Sequence, residues 1–240
     1  MPPDPGLAIH IGADVLASSR HARWPAVRAC RDAVERTTRL AAAAGITRQH
    51  QLLGTCASRA RIGHALREAA ACLDAHGHLL VAFTGHSDRE PAGPDQPPAI
   101  AWCVHDGTLP LAEVAALLSA VPPTAVITVI ADTCYAAALS GFTIPATVVL
   151  LAACGANQQT LAIPAEGFAS RLERLVLPGG QPNPRCTTYR WLNRQLRQDT
   201  PDVERPGRLS AGYFFVAPAQ LGIRTSVGAR STVITAAPNV

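Results

Sequence analysis

The run AVITVIA at 125–131 constrains the fold more than any other stretch of this chain. It is apolar and rich in β-branched residues, and it does not alternate with polar positions. That pattern fits a strand buried on both faces, as in a parallel sheet. Parallel neighbours cannot be joined by tight turns, so each needs a crossover, usually a helix. The rest of the chain supplies that alternation. Strands are predicted at 7–12 (LAIHIG), 50–53, 78–84 (HLLVAFT), 147–153 (TVVLLAA) and 212–216 (GYFFV). Helices are predicted at 26–44, ending at Gly45, and at 58–75, with Ser58 as N-cap. Others follow at 110–120, about 166–176 and 187–198, with a short Ala-rich helix after Cys134. Residues 87–98 read as a Pro- and Gly-rich loop. The outcome is an α/β sheet with helices on both faces. One domain is expected over 1–218, followed by a polar, weakly patterned tail at 219–240.

Composition agrees and removes several classes of function. Of the 240 residues, 48% are hydrophobic and 16% charged, which supports a core rather than disorder. The net charge of +4 is carried without any lysine, and no Arg-rich run or interleaved aromatic stripe marks a nucleic-acid surface. The start, MPPDPG, lacks the pattern of a signal peptide. The longest apolar stretches, 124–131 and 144–156, are shorter than the ~20 residues of a spanning helix. A cytoplasmic protein with no membrane role is expected, its seven cysteines reduced. Neither GxxxxGK[ST] nor GxGxxG occurs. His64, His76 and His78 lie near Cys56 and Cys72 without a zinc-binding spacing, and Cys103 and Cys154 sit in apolar segments as core residues.

Ligands of open α/β sheets bind beyond the carboxyl ends of the strands. Two of those ends carry reactive groups. In VAFTGHSD, His86 lies two residues past the strand; in VIADTCYA, Cys134 lies just past its own. An imidazole beside a thiol can take its proton and later protonate a leaving amine, and the thiolate is the nucleophile. A helix starting after Cys134 would favour that anion.

These segments resemble the caspase-like peptidases, the clan of caspases and metacaspases. The family's "SGHG" is matched by TGHS at 84–87, and the metacaspase "DSCHSG" by Asp132-Thr133-Cys134-Tyr135-Ala136-Ala137. A family "DA" pair is matched by Asp32-Ala33, "ILLSAC" by VVLLAAC at 148–154, and "GxFT" by Glu166-Gly167-Phe168-Ala169. The resemblance covers roughly 7–217. It implies a caspase-like three-layer sandwich around a mostly parallel six-stranded sheet. It further implies that Cys134 attacks the scissile carbonyl, that His86 is the general acid/base, and that the backbone N–H groups of Ser87 and Cys134 form the oxyanion hole. Ser87 stands where the family usually has Gly, so the loop could demand a φ that Ser dislikes.

Metacaspases bind a basic residue before the cut with acidic side chains, one of them two positions before the Cys. Asp132 stands there, with Asp32 as a second candidate, so cleavage after Arg or Lys is expected. Cleavage after Asp, as in caspases, is the alternative specificity. A carboxylate capping the helix that starts at Cys134 is the structural reading of Asp132. About a dozen residues separate Cys134 from the next strand, so the enzyme is expected to work as one chain, with Arg185 as a self-cleavage site. No cofactor is needed for the chemistry. Ca²⁺ activation would draw on Asp88, Glu90, Asp95 and Asp106. The partners implied are a protein or peptide substrate, a gasdermin-like protein among them, and a separate activator, in a bacterial stress or antiphage setting. Two other readings stay open. One is a caspase-like pseudo-enzyme that binds a partner without cutting it. The other is a cysteine hydrolase on a different α/β scaffold, disfavoured because no Asp or Asn is placed to complete a triad.

Overall fold

The computed structural model describes residues 6–17, 24, 26–27, 29–91, 99–160, 167–183, 189–198, 213–217, 224–225 and 232–233. A six-stranded sheet forms the middle layer. Its strands are β1 (Gly6–Gly12), β2 (Arg48–Leu53), β3 (His78–Thr84), β7 (Val126–Asp132), β8 (Thr147–Ala152) and β9 (Tyr213–Ala217), in spatial order β2-β1-β3-β7-β8-β9. The four pairings that join β2, β1, β3, β7 and β8 are parallel, and β9 closes the edge antiparallel to β8.

The strands divide their side chains between two cores with period two. Ile9, Ile11, Val81, Phe83, Ile127, Val129 and Leu150 face one side, where they meet Ile62 and Leu66 of α2 (Arg59–Cys72) and Val114 and Leu118 of α3 (Leu111–Leu118). Ala8, Leu80, Ala82, Ile130, Val149 and Leu151 face the other. There they meet Leu40 and Ala41 of α1 (Cys30–Ala43), Phe168 and Leu172 of α4 (Phe168–Val176) and Leu192 and Leu196 of α5 (Tyr189–Gln198). This double burial is why β3, β7 and β8 read as continuous apolar runs. Arg36 and Arg39 of α1 both pair with Glu173 of α4, binding two helices of one layer.

Some boundaries differ from the sequence reading. α1 starts at Cys30 rather than 26, because Ala29 at its N-cap offers no side-chain acceptor to mark the start. α2 does begin after Ser58, whose side chain accepts from Arg61 N–H, but it ends at Cys72. The segment after Cys134 is a 3₁₀ turn over Ala136–Gly141, not an α-helix. The largest correction concerns 87–98. Its first residues form β4 (Ser87–Glu90), which joins β5 (Ala99–Val104) and β6 (Gly107–Pro110) in a three-stranded antiparallel sheet. SDRE has no strand preference of its own; pairing with the apolar β5 makes it a strand. Trp102 of β5 stacks on Phe83 of β3, ring centroids 4.3 Å apart, and so fixes this small sheet against the large one. Arg185, Asp95 and most of the 219–240 tail lie outside the described residues.

Candidate functional site

The site begins with a register. Thr84, the last residue of β3, pairs with Asp132, the last residue of β7. His86 and Cys134 therefore each lie two residues beyond paired positions on adjacent parallel strands, and such strands run about 5 Å apart. Gly85 makes the approach feasible: a Cβ there would come within 3.1 Å of the Ala13 Cβ beyond β1. Its N–H reaches the Asp132 carbonyl at 3.4 Å. One residue further, the hydroxyls of Ser87 and Thr133 share a buried 2.7 Å hydrogen bond. The structure thus brings the two sequence-derived segments side by side. His86 is half-buried, with the Trp24 ring packed edge-on at 4.9 Å between centroids. Sequence reasoning passed over Trp24, an isolated aromatic in an Arg- and Ala-rich stretch with no motif around it.

Ser87 has an ordinary negative φ, since Tyr135 is the one non-glycine residue with positive φ among the described residues. The backbone strain expected at Ser87 from the sequence is therefore absent. The Cys103 N–H donates to the His86 carbonyl at 2.9 Å, which sets the phase of the β4–β5 ladder. Ser87 then faces Trp102 as a non-hydrogen-bonded pair, with its N–H directed away from β5.

Cys134 is partly buried. Its Sγ lies 3.6 Å from the Thr160 carbonyl and 3.5 Å from the Thr160 N–H. Burial pushes the thiol's pKa up, and the Thr160 and Cys134 N–H groups offset only part of that. No α-helix starts behind it, so the expected support from a helix dipole gives way to these two donors. Tyr135 follows in a left-handed conformation, φ 54° and ψ 25°, which costs a non-glycine residue about 1–3 kcal/mol. Its N–H donates to the Gln158 carbonyl at 2.7 Å, its hydroxyl accepts from Gln159 Nε2 at 2.9 Å, and the Arg89 guanidinium lies 4.8 Å from its ring centroid. The buried Cys154 thiol lies within donating reach of two carbonyls, Thr133 at 3.3 Å and Gln158 at 3.2 Å, and its single S–H serves one at a time. Burial raises its pKa to about 11, as a core thiol.

Asp132 caps a helix, but a different one from that expected. Its Oδ2 accepts from the Ala169 N–H at 3.2 Å, and the Phe168 N–H bonds it too, so the carboxylate sits on the N-terminus of α4. The residue as a whole is half-buried, but its carboxyl is enclosed by protein, and that desolvation raises the pKa to about 6, outweighing both donors. Asp32 is exposed in the first turn of α1, where a carboxylate complements the helix dipole. Cys30, by contrast, is buried behind Thr84, donating to its carbonyl at 3.3 Å, and its pKa is raised by burial and then by Asp14 and Asp132. Of the carboxylates weighed for calcium, Asp106 accepts from the Arg59 N–H at 2.8 Å and Glu90 from the Thr108 hydroxyl. His78 bonds Thr128 at 2.8 Å within the sheet, and His64 lies 3.8 Å from Glu68 along α2.

No family model matches the chain, and no curated protein matches it in sequence. Solved structures do match. Protein GSU0716 from Geobacter sulfurreducens superposes with a TM-score of 0.72 at 20% identity, covering 88% of this chain and 93% of that one. Caspase-1 from Spodoptera frugiperda superposes with a TM-score of 0.56 at 12% identity, covering 88% and 86%. The fold is caspase-like: a mostly parallel sheet between two helical layers.

Proposed function

We propose that this chain is a cysteine endopeptidase in which Cys134 is the nucleophile and His86 the general acid/base. One observation carries the reading. The Thr84–Asp132 register leaves both residues two positions beyond neighbouring strand ends, and the Ser87–Thr133 bond ties the two segments together. In the proposed reaction His86 accepts the Cys134 proton as sulfur attacks the scissile carbonyl. The oxyanion is met by the N–H groups of Cys134 and Ser87. His86 then returns the proton to the leaving amine, and water hydrolyses the thioester.

Asp132 supports a basic residue before the cut. Burial raises its carboxyl's pKa to about 6, so at neutral pH it is mostly ionised and carries the charge that a guanidinium or ammonium would pair with. The Thr160 backbone on the Cys134 thiol supports a latent resting state, from which an activating protein would displace the Gln158–Thr160 segment.

The test is a panel of fluorogenic peptides differing only in the residue before the cut (Arg, Lys, Asp, Leu), with and without Ca²⁺. Cleavage after Arg that disappears in Cys134→Ala is the expected result. Cleavage after Asp would overturn the role given to Asp132. Cleavage that survives in Cys134→Ala would overturn the nucleophile.

A further inference from the structure

We propose that β4 fixes the spacing of the His86–Cys134 pair, with Tyr135 as a positioning residue held by Arg89. The proposal rests on the reading of Cys134 as nucleophile and adds to it. Ser87 and Arg89 follow His86 by one and three residues on β4, so they project from the same face of that strand. They grip the residues on either side of Cys134. Ser87 bonds the hydroxyl of Thr133, and Arg89 lies over the ring of Tyr135. β4 cannot shift relative to the Cys134 turn without breaking both contacts. It is itself fixed by β5, whose Trp102 stacks on Phe83.

The backbone at Tyr135 shows why a ring is wanted there. A left-handed φ of 54° favours glycine, yet the position carries a large, buried aromatic residue. Glycine would relieve the backbone and lose the grip. The ring is held on one side by Arg89 and at its hydroxyl by Gln159, and the backbone N–H is held by Gln158. Should the Gln158–Thr160 segment leave on activation, the Arg89 contact to the ring would remain. The left-handed turn and the aimed Cys134 would then depend on the Arg89–Tyr135 contact together with Ser87–Thr133.

The experiment compares Arg89→Ala, Arg89→Lys, Tyr135→Ala and the double Arg89→Ala/Tyr135→Ala with the full wild-type chain. It reads kcat and KM on the Arg peptide and the pH profile of Cys134 alkylation by iodoacetamide, followed at that residue by mass spectrometry. Thermal midpoints confirm folding. Arg89 is exposed, so its variants keep the test open if Tyr135→Ala does not fold. Arg89→Ala is expected to lower kcat about tenfold with KM within about twofold, since a small misplacement of a reacting group slows chemistry more than binding. It should also shift the alkylation profile, and Arg89→Lys should restore most of both. The double variant should be no worse than Tyr135→Ala alone. Arg89→Ala with wild-type kcat and a wild-type alkylation profile would overturn the proposal. A wild-type chain that cleaves none of the peptides counts against the peptidase reading alone, because the alkylation comparison still decides this one.

Discussion

At the residue scale, His86 and Cys134 each follow by two residues the paired strand ends Thr84 and Asp132. His86 and Cys134 stood out because reactive groups at two strand ends are rare, and the register brings those ends together. Asp132 was harder. Its place two residues before Cys134 suggested a ligand or a cap, and only the fold reveals that the cap serves α4, more than thirty residues later in the chain. Replacing Asp132 by Asn keeps an acceptor for those amides and removes the charge. The expected result is a loss of preference for Arg over Leu. In the wild type, kcat/KM for the Arg peptide relative to the Leu peptide should rise as pH passes up through about 6, as the carboxyl ionises. In Asp132→Asn that ratio should be flat with pH. Thr133→Val is expected to lower kcat and to cost about 1–3 kcal/mol in urea unfolding, because it leaves the buried Ser87 hydroxyl without its partner.

At the scale of elements, periodicity was enough for the helices and central strands and failed in two informative places. β4 has no apolar residue, and its existence depends on a partner strand fifteen residues later, at Trp102. No local reading of SDRE could find it, although it carries both residues that grip the Cys134 turn. The Ala-rich stretch after Cys134 suggests a helix because alanine favours helices, yet the left-handed Tyr135 breaks the backbone before one can form. Across the helical layer, Glu173 accepts from Arg36 and Arg39 while mostly buried, and the two guanidinium groups hold its carboxyl below the usual range despite the opposing effect of burial. Glu173→Gln is expected to loosen α1 against α4, at about 1 kcal/mol in chemical unfolding. Activity should change little, since neither helix contributes a side chain to the proposed dyad.

At the scale of the whole molecule, two buried titratable groups pull stability in opposite directions. His10, enclosed between Thr37 and Gln49, is pushed down to about 4 by burial. Its folded pKa lies below the ordinary 6.5, so it contributes stability above 6.5 that is lost as pH falls through 4. Asp132 is raised to about 6 from 3.8, so its contribution is present below 3.8 and lost as pH rises through 6. Each effect is on the order of 3 kcal/mol. Between about pH 4 and 6 they offset one another, and wild-type unfolding free energy should be nearly flat there. Asp132→Asn should unmask the His10 slope, with stability rising with pH. Substituting His10 by Gln should unmask the Asp132 slope, with stability falling.

The central claim, that Cys134 and His86 act as one catalytic unit, is tested most directly by labelling with a peptidyl chloromethyl ketone ending in Arg. Intact mass and peptide mapping would follow the label in the wild type and in His86→Ala. The expected result is one adduct, at Cys134, forming about a hundredfold more slowly in His86→Ala, within the usual contribution of a positioned general base. Labelling confined to Cys56 and Cys72, or a Cys134 rate unchanged by the loss of His86, would contradict it.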